Sequence, residues 1–277
     1  MPSSPSVLPA LLSRARAPFR IARPRPAPEG EGPGGPDHLV LAAALDGLTD
    51  GWTVDYEALV GSRELAAYRE EIAGFDADRL DRRRQIAFWV NAYNATVLGL
   101  IADRWPVGSV LDVPGAFVSV RSRVGGAEMT LDEIEHGKAR RLGDPRVHLG
   151  LNCGSVGCPP LRVYGPDPGD ELDANGRRYL ADPRRGARPD GDRIQLSRVF
   201  QWFGGDFAPI GGGPSLASTL LVAARPSRVL PALRPLLPGE LRGLSRVAFL
   251  DYDWSVNAAR GSLAAPEPAS REDRTGD

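Results

Sequence analysis

A chain of 277 residues with 42% hydrophobic content is long enough to bury a substantial core, and its formal charge of −1 leaves no electrostatic case for a nucleic-acid or anionic-membrane partner. Lys138 is the sole lysine among 34 basic residues, so the arginine richness reads as solvated surface charge rather than a phosphate site. Two cysteines in so long a chain exclude a disulfide scaffold and point to a reducing, cytoplasmic compartment.

Residues 1–36 carry arginines, prolines and glycines with no acidic group before Glu29. The apolar run at 7–12 contains Pro9 and is followed by Arg14 and Arg16, the reverse of a secretory signal, so a disordered leader is expected. No stretch approaches the ~20 apolar residues of a membrane span.

A single α+β domain, helix-rich with a small, mostly antiparallel sheet, is expected over 37–260. Helices are predicted at 39–48, in 54–75 with a break near Gly61, and at 85–104. The last is apolar nearly all round and therefore buried. Asn91 and Asn94 lie three apart on one flank of it, and buried amides must find partners. Either they bond neighbouring loop backbone or one of them serves an active site.

A strand over 117–124 turns at Gly125-Gly126 into 127–130. Thr130-Leu131-Asp132-Glu133 forms a capping box for a helix over 131–142. On that helix Glu135 falls on the apolar stripe, where a carboxylate is costly unless paired. Arg121, Arg123 or a histidine is a candidate partner, and His136 lies on the flank of the same face.

Residues 146–161, RVHLGLNCGSVGCPPL, gather both cysteines and His148. The alternation of Val147, Leu149 and Leu151 predicts a half-buried strand that ends in a glycine loop. Downstream, a helix is expected at 169–180, a short strand at 193–196, a helix at 198–203 capped by Ser197 and stopped by Gly204-Gly205, a helix at 215–224, and a final strand at 246–250. The glycines of 210–214 form no phosphate loop, since no lysine follows them. A disordered tail is expected over 261–277.

The motif H-x-x-L-x-C-G-x-x-x-C-P-P-L, from His148 to Leu161, resembles the signature of the domain-of-unknown-function 547 (DUF547) family. FWVNAYNATVL (88–98), LDEIEHGKAR (131–140), LSRVFQWFGGDF (196–207) and YDWSVN (252–257) extend the resemblance from Leu39 to Asn257. The resemblance implies the domain type and no particular chemistry.

Three functions fit these residues. The first is a cysteine-dependent hydrolase or acyltransferase acting on amide or ester bonds of a small-molecule or peptide substrate. Cys153 is its nucleophile, because Gly154 leaves the sulfur accessible; His148 or His136 is the base, and Glu135, Asn91 or Asn94 orients that base. The second is a non-catalytic interaction module. The third is a metal or redox site, with His136, His148, Cys153 and Cys158 as ligands or with a reversible Cys153–Cys158 bond. The first reading calls for no cofactor.

Overall fold

A computed structural model describes residues 34–209 and 215–259. The expectations for the glycine-rich stretch 210–214, the tail 261–277 and most of the 1–36 leader lie outside the described residues. The architecture is α+β.

Asp37, Asp55 and Ser62 each accept a backbone N–H and so start α1 (His38–Leu45), α2 (Tyr56–Leu59) and α3 (Arg63–Gly74). Between α2 and α3 the chain turns at Gly61, with φ 71°. The long helix α4 (Arg82–Ala102) begins at its cap Asp81, a turn earlier than the apolar pattern indicates, and is buried at every position from Gln85 on. It is the axis of the larger core, against which Leu41, Tyr68, Ile134, Val147 and both cysteines pack.

The hairpin of β1 (Ser122–Val124) and β2 (Ala127–Met129) docks on α3, since the N–H groups of Gly125 and Gly126 donate to the carbonyls of Ile72 and Ala73. The strand expected from residue 117 starts only at Ser122. The N–H groups of Val118, Ser119 and Val120 all donate to the Gly115 carbonyl, so that stretch is a turn. The capping box of Thr130 and Glu133 opens α5 (Leu131–Gly137). The expected continuation to residue 142 breaks at Lys138 (φ −124°, ψ −74°) and resumes as a 3-10 turn, Ala139–Leu142.

The strand expected through Val147, Leu149 and Leu151 is replaced by a 3-10 turn, Pro145–Leu149, started by the side chain of Asp144. Residues 147–151 are buried throughout, Val147 and Leu151 in the larger core and Leu149 in a second one. A segment buried all round shows apolar residues at any spacing, so the alternation carried no strand information.

The second core is built on α6 (Gly169–Leu180) and a sheet of order β3 (Ala187–Asp190), β4 (Arg193–Leu196), β5 (Arg246–Phe249). β3 and β4 are antiparallel, whereas β4 and β5 run parallel. β3 escapes a sequence reading because Pro189 and Asp190 are poor strand formers, tolerated at a sheet edge. After α7 (Val199–Trp202), Gly204 and Gly205 do not end the helical run but open another turn, α8 (Gly204–Phe207). They are glycines because α9 (Leu216–Ala224) packs on them: a Cβ would lie 2.4 Å from Val222 Cγ1 at Gly204 and 2.7 Å from Thr219 Oγ1 at Gly205. Residues 252–259 return as a strap, with bridges from Ser255 to Ser109, Val256 to Ser155 and Ala258 to Val54. Among the described residues no helix is long and apolar enough to cross a membrane.

Candidate functional site

The loop that carries the cysteines is held by amides of α4. Asn94 donates to the Gly150 carbonyl (3.0 Å) and accepts from the Asn152 N–H (2.9 Å). Asn91 holds Tyr164 in the same two-pronged way, at 2.8 and 2.9 Å. Asn152 in turn donates to the Pro159 carbonyl and accepts from the Gly154 N–H, which closes the loop on itself. The buried asparagines of the long helix are therefore engaged with loop backbone.

Within this loop the Sγ atoms of Cys153 and Cys158 lie 3.1 Å apart as free thiols. The Cys153 N–H donates to Cys158 Sγ (3.0 Å), and Ser155 Oγ is 3.3 Å from Cys153 Sγ. Tyr252, on the strap, sets its hydroxyl 3.1 Å from Cys158 Sγ and 3.7 Å from Cys153 Sγ. Burial pushes the Cys158 thiol well up from its ordinary pKa, the neighbouring Cys153 sulfur adds to the effect, and the Tyr252 hydroxyl partly offsets it. The strap reaches the loop through its backbone: Val156 and Gly157 donate to the carbonyls of Ser255 and Asp253, and Asn257 donates to the Gly154 carbonyl. Tyr56 then fixes Asn257 through a 2.8 Å hydrogen bond to Oδ1.

The expectation that Gly154 leaves the Cys153 sulfur accessible is overturned, since Cys153 is 2% exposed and Cys158 4%. Gly154 has φ 80°, and a Cβ there would lie 2.3 Å from Ile101 Cδ1. Its missing side chain makes room for α4, not for solvent.

The imidazoles belong to a different cluster. His148 Nε2 meets Asp206 Oδ2 at 2.9 Å, Nδ1 faces Glu135 Oε1 at 4.0 Å, and the ring stacks on Phe203 with centroids 4.0 Å apart. Arg140 grips Asp206 with two hydrogen bonds of 2.8 and 2.7 Å and donates a third, of 3.0 Å, to His136 Nδ1. A guanidinium has no acceptor, so Nδ1 of His136 is the acceptor and its proton sits on Nε2, 3.8 Å from Asp132 Oδ1. Asp132, Glu135, His136, Arg140, His148 and Asp206 are all buried. Burial alone would raise the Asp206 pKa, but the hydrogen bonds from Arg140 and His148 outweigh it and hold the carboxyl far below the usual carboxylate range.

Of the arginines considered for Glu135, Arg121 instead pairs with Glu133 at 3.0 Å, and it is the histidine, His148, that faces Glu135. The candidate residues thus divide into a thiol group and an imidazole group. Among the described residues no set of three or more His, Cys, Asp or Glu side chains is placed to hold a metal ion, so the four-ligand alternative of His136, His148, Cys153 and Cys158 is not assembled. Sequence reasoning missed Asp132, Arg140, Ser155, Asp206 and Tyr252. Asp132 could have been found from its four-residue spacing to His136 on a helix face, whereas Arg140 reaches His136 from the 3-10 turn beyond the break at Lys138. Asp206 and Tyr252 lie in the motif blocks 196–207 and 252–257, but no spacing ties them to the histidines or the cysteines.

Residues 77–180 match the model of a family described as "Protein of unknown function, DUF547". This span is narrower than the motif resemblance: it includes Glu135, His136, Arg140, His148 and both cysteines but not Asp206 or Tyr252. Neither a curated protein nor a solved structure matches the chain.

Proposed function

Residues 77–180 match the DUF547 family model, whose description assigns no reaction, and we propose from the geometry that Cys153 and Cys158 form a dithiol–disulfide redox centre. The observation that carries this reading is the 3.1 Å approach of the two sulfurs. Acyl transfer by Cys153 would need an imidazole turned to the sulfur. Both nitrogens of His148 face Asp206 and Glu135, and both nitrogens of His136 face Arg140 and Asp132. Redox exchange requires only the two sulfurs.

The co-reactant is a small-molecule or peptide disulfide. In this reading Cys153 attacks as its thiolate, and Cys158, whose thiol burial pushes up, is the resolving group. Its sulfur bonds to one sulfur of the substrate, the substrate S–S bond breaks, and the departing thiolate takes up the proton that Cys153 gave to solvent. Cys158 then deprotonates and attacks the Cys153 sulfur of the mixed disulfide, releasing the second substrate thiol, which takes up that proton. Two electrons pass to the substrate, and the chain is left with an internal disulfide. A reducing compartment such as the cytoplasm would return the pair to thiols. Tyr252 must swing from the sulfurs for substrate to enter.

The test is reaction of the native chain with 5,5′-dithiobis(2-nitrobenzoic acid). Two thionitrobenzoate ions released per chain, with no retained adduct, are expected for the wild type. Cys158→Ser should release one and hold the other as a mixed disulfide. Thiols that react only after unfolding would overturn the proposal.

A further inference from the structure

Away from the sulfurs, a cavity of about 510 Å³ opens between the start of α1, the approach to α4 around Leu80 and Arg84, and the segment 163–166. This volume lies within the roughly 300–1,000 Å³ of small-molecule pockets. Its walls are held from behind, so the space is formed before anything enters it. Asn91 fixes Tyr164 by both backbone groups, and Glu171 accepts from the Gly165 N–H at 2.8 Å. On the facing wall, Asp37 caps α1, and Tyr68 Oη meets His38 Nδ1 at 2.8 Å.

The charges at the mouth already have partners: the Asp37 carboxylate accepts the Leu39 N–H at 2.9 Å, and the other two charges are ion-paired. Arg84 is paired with Asp81 at 2.5 Å and Glu171 with Arg162 at 3.0 Å. A charged ligand would have to compete with these pairs. Leu80, Ala42 and Val163 supply apolar lining, and Leu39 at the rim is 74% exposed. Burial, partly opposed by the Asp37 charge, lowers the His38 pKa to about 4, so the ring is neutral at neutral pH.

We propose that this cavity is a binding site for an uncharged, mostly apolar small molecule. Leu80, Ala42 and Val163 bury its body, and His38 is the hydrogen-bonding group that orients it. Two charged rims that neutralise themselves leave desolvation of apolar surface as the driving force.

The test uses the full chain and the neutral fluorophore N-phenyl-1-naphthylamine, with 1-anilinonaphthalene-8-sulfonate as its charged counterpart. Saturable fluorescence enhancement at one site is expected with the neutral probe, and about tenfold weaker binding with the sulfonate. Ala42→Trp, which fills the cavity, should weaken the neutral probe by about tenfold or more, and Leu39→Arg, at an exposed position that leaves the fold unburdened, should weaken it by less. Absence of saturable binding, equal affinity for the two probes, or indifference to both variants with circular dichroism unchanged would overturn the proposal. So would a dimer, seen by light scattering, that Ala42→Trp dissociates, because the occupant would then be a second copy of the chain.

Discussion

The sulfur loop and the imidazole cluster are buried to similar depth, yet they are held by opposite means. Around the sulfurs the hydrogen-bonding groups described above are neutral, a serine hydroxyl, a tyrosine hydroxyl and a backbone N–H, with the strap attached by main-chain hydrogen bonds. Around the imidazoles they are ions, with the Asp206 carboxylate shared between the Arg140 guanidinium and His148. A neutral cluster can lose one member and leave behind an unsatisfied dipole. An ionic cluster that loses one member leaves a buried charge, which costs several times more. The two clusters should therefore respond very differently to single substitutions. This difference suits a loop whose chemistry requires Tyr252 to move and a cluster that ties the helices α5 and α8 together.

The largest effect is expected on the ionic side. Asp206→Ala leaves Arg140 and His148 without their shared carboxylate and should cost about 3–5 kcal/mol in urea denaturation followed by circular dichroism. A loss under about 1 kcal/mol would break the comparison, because the cluster would then be no more demanding than a surface ion pair. The same residue fixes an acid limb. Its folded-state pKa is depressed, so its stabilisation is complete above the ordinary carboxylate pKa of about 3.9 and is lost as pH falls from there through the folded value. Wild-type stability should fall below about pH 4, and Asp206→Ala should flatten that limb.

What the sequence could reveal divides along the same line. Helices α4 and α6 and strand β4 are legible because each carries its own signal: an apolar run in α4, acidic residues in the first turn and arginines in the last turn of α6, and a short stretch with Ile194 and Leu196 inward in β4. The capping box of Thr130 and Glu133 was legible for the same reason. The turn at Pro145–Leu149 was misread as a strand because complete burial erases periodicity. At Gly204-Gly205 two glycines that admit α9 look in sequence like glycines that end a helix. In the site, Glu135 could be recognised as a carboxylate in need of a partner from its helix face alone. Its neighbours could not. Asp206 lies 58 residues from His148, and Tyr252 lies 94 from Cys158, and no local spacing encodes contacts of that range.

Intermediate in size is the effect of a methyl group inside the loop. Gly154→Ala would put a side chain on a backbone with φ 80° and force it within 2.3 Å of Ile101 Cδ1. The strain and the overpacking together should cost about 2–3 kcal/mol in thermal denaturation. Because Gly154 directly follows Cys153, the displaced loop should also separate the sulfurs and slow closure of the disulfide after the first exchange step. Slower closure at unchanged stability would assign the glycine to thiol geometry alone. A stability loss with unchanged closure would show that the α4 contact and the sulfur spacing are independent.

The smallest effect, Tyr252→Phe, is the sharpest test of neutrality. The variant keeps the ring that packs on Trp202 and Trp254 and removes only the hydroxyl beside the sulfurs, so about 1 kcal/mol is expected, well below the Asp206→Ala loss. The hydroxyl also lowers the Cys158 pKa against burial, and its removal should move the pH profile of Cys158 alkylation to higher pH, read by peptide mass mapping. A shift to lower pH would mean that Tyr252 opposes the thiolate, and the strap would then be a cover that suppresses the redox centre. A cost comparable to that of Asp206→Ala would mean that the sulfur side carries charge after all, and the contrast between the two clusters would disappear.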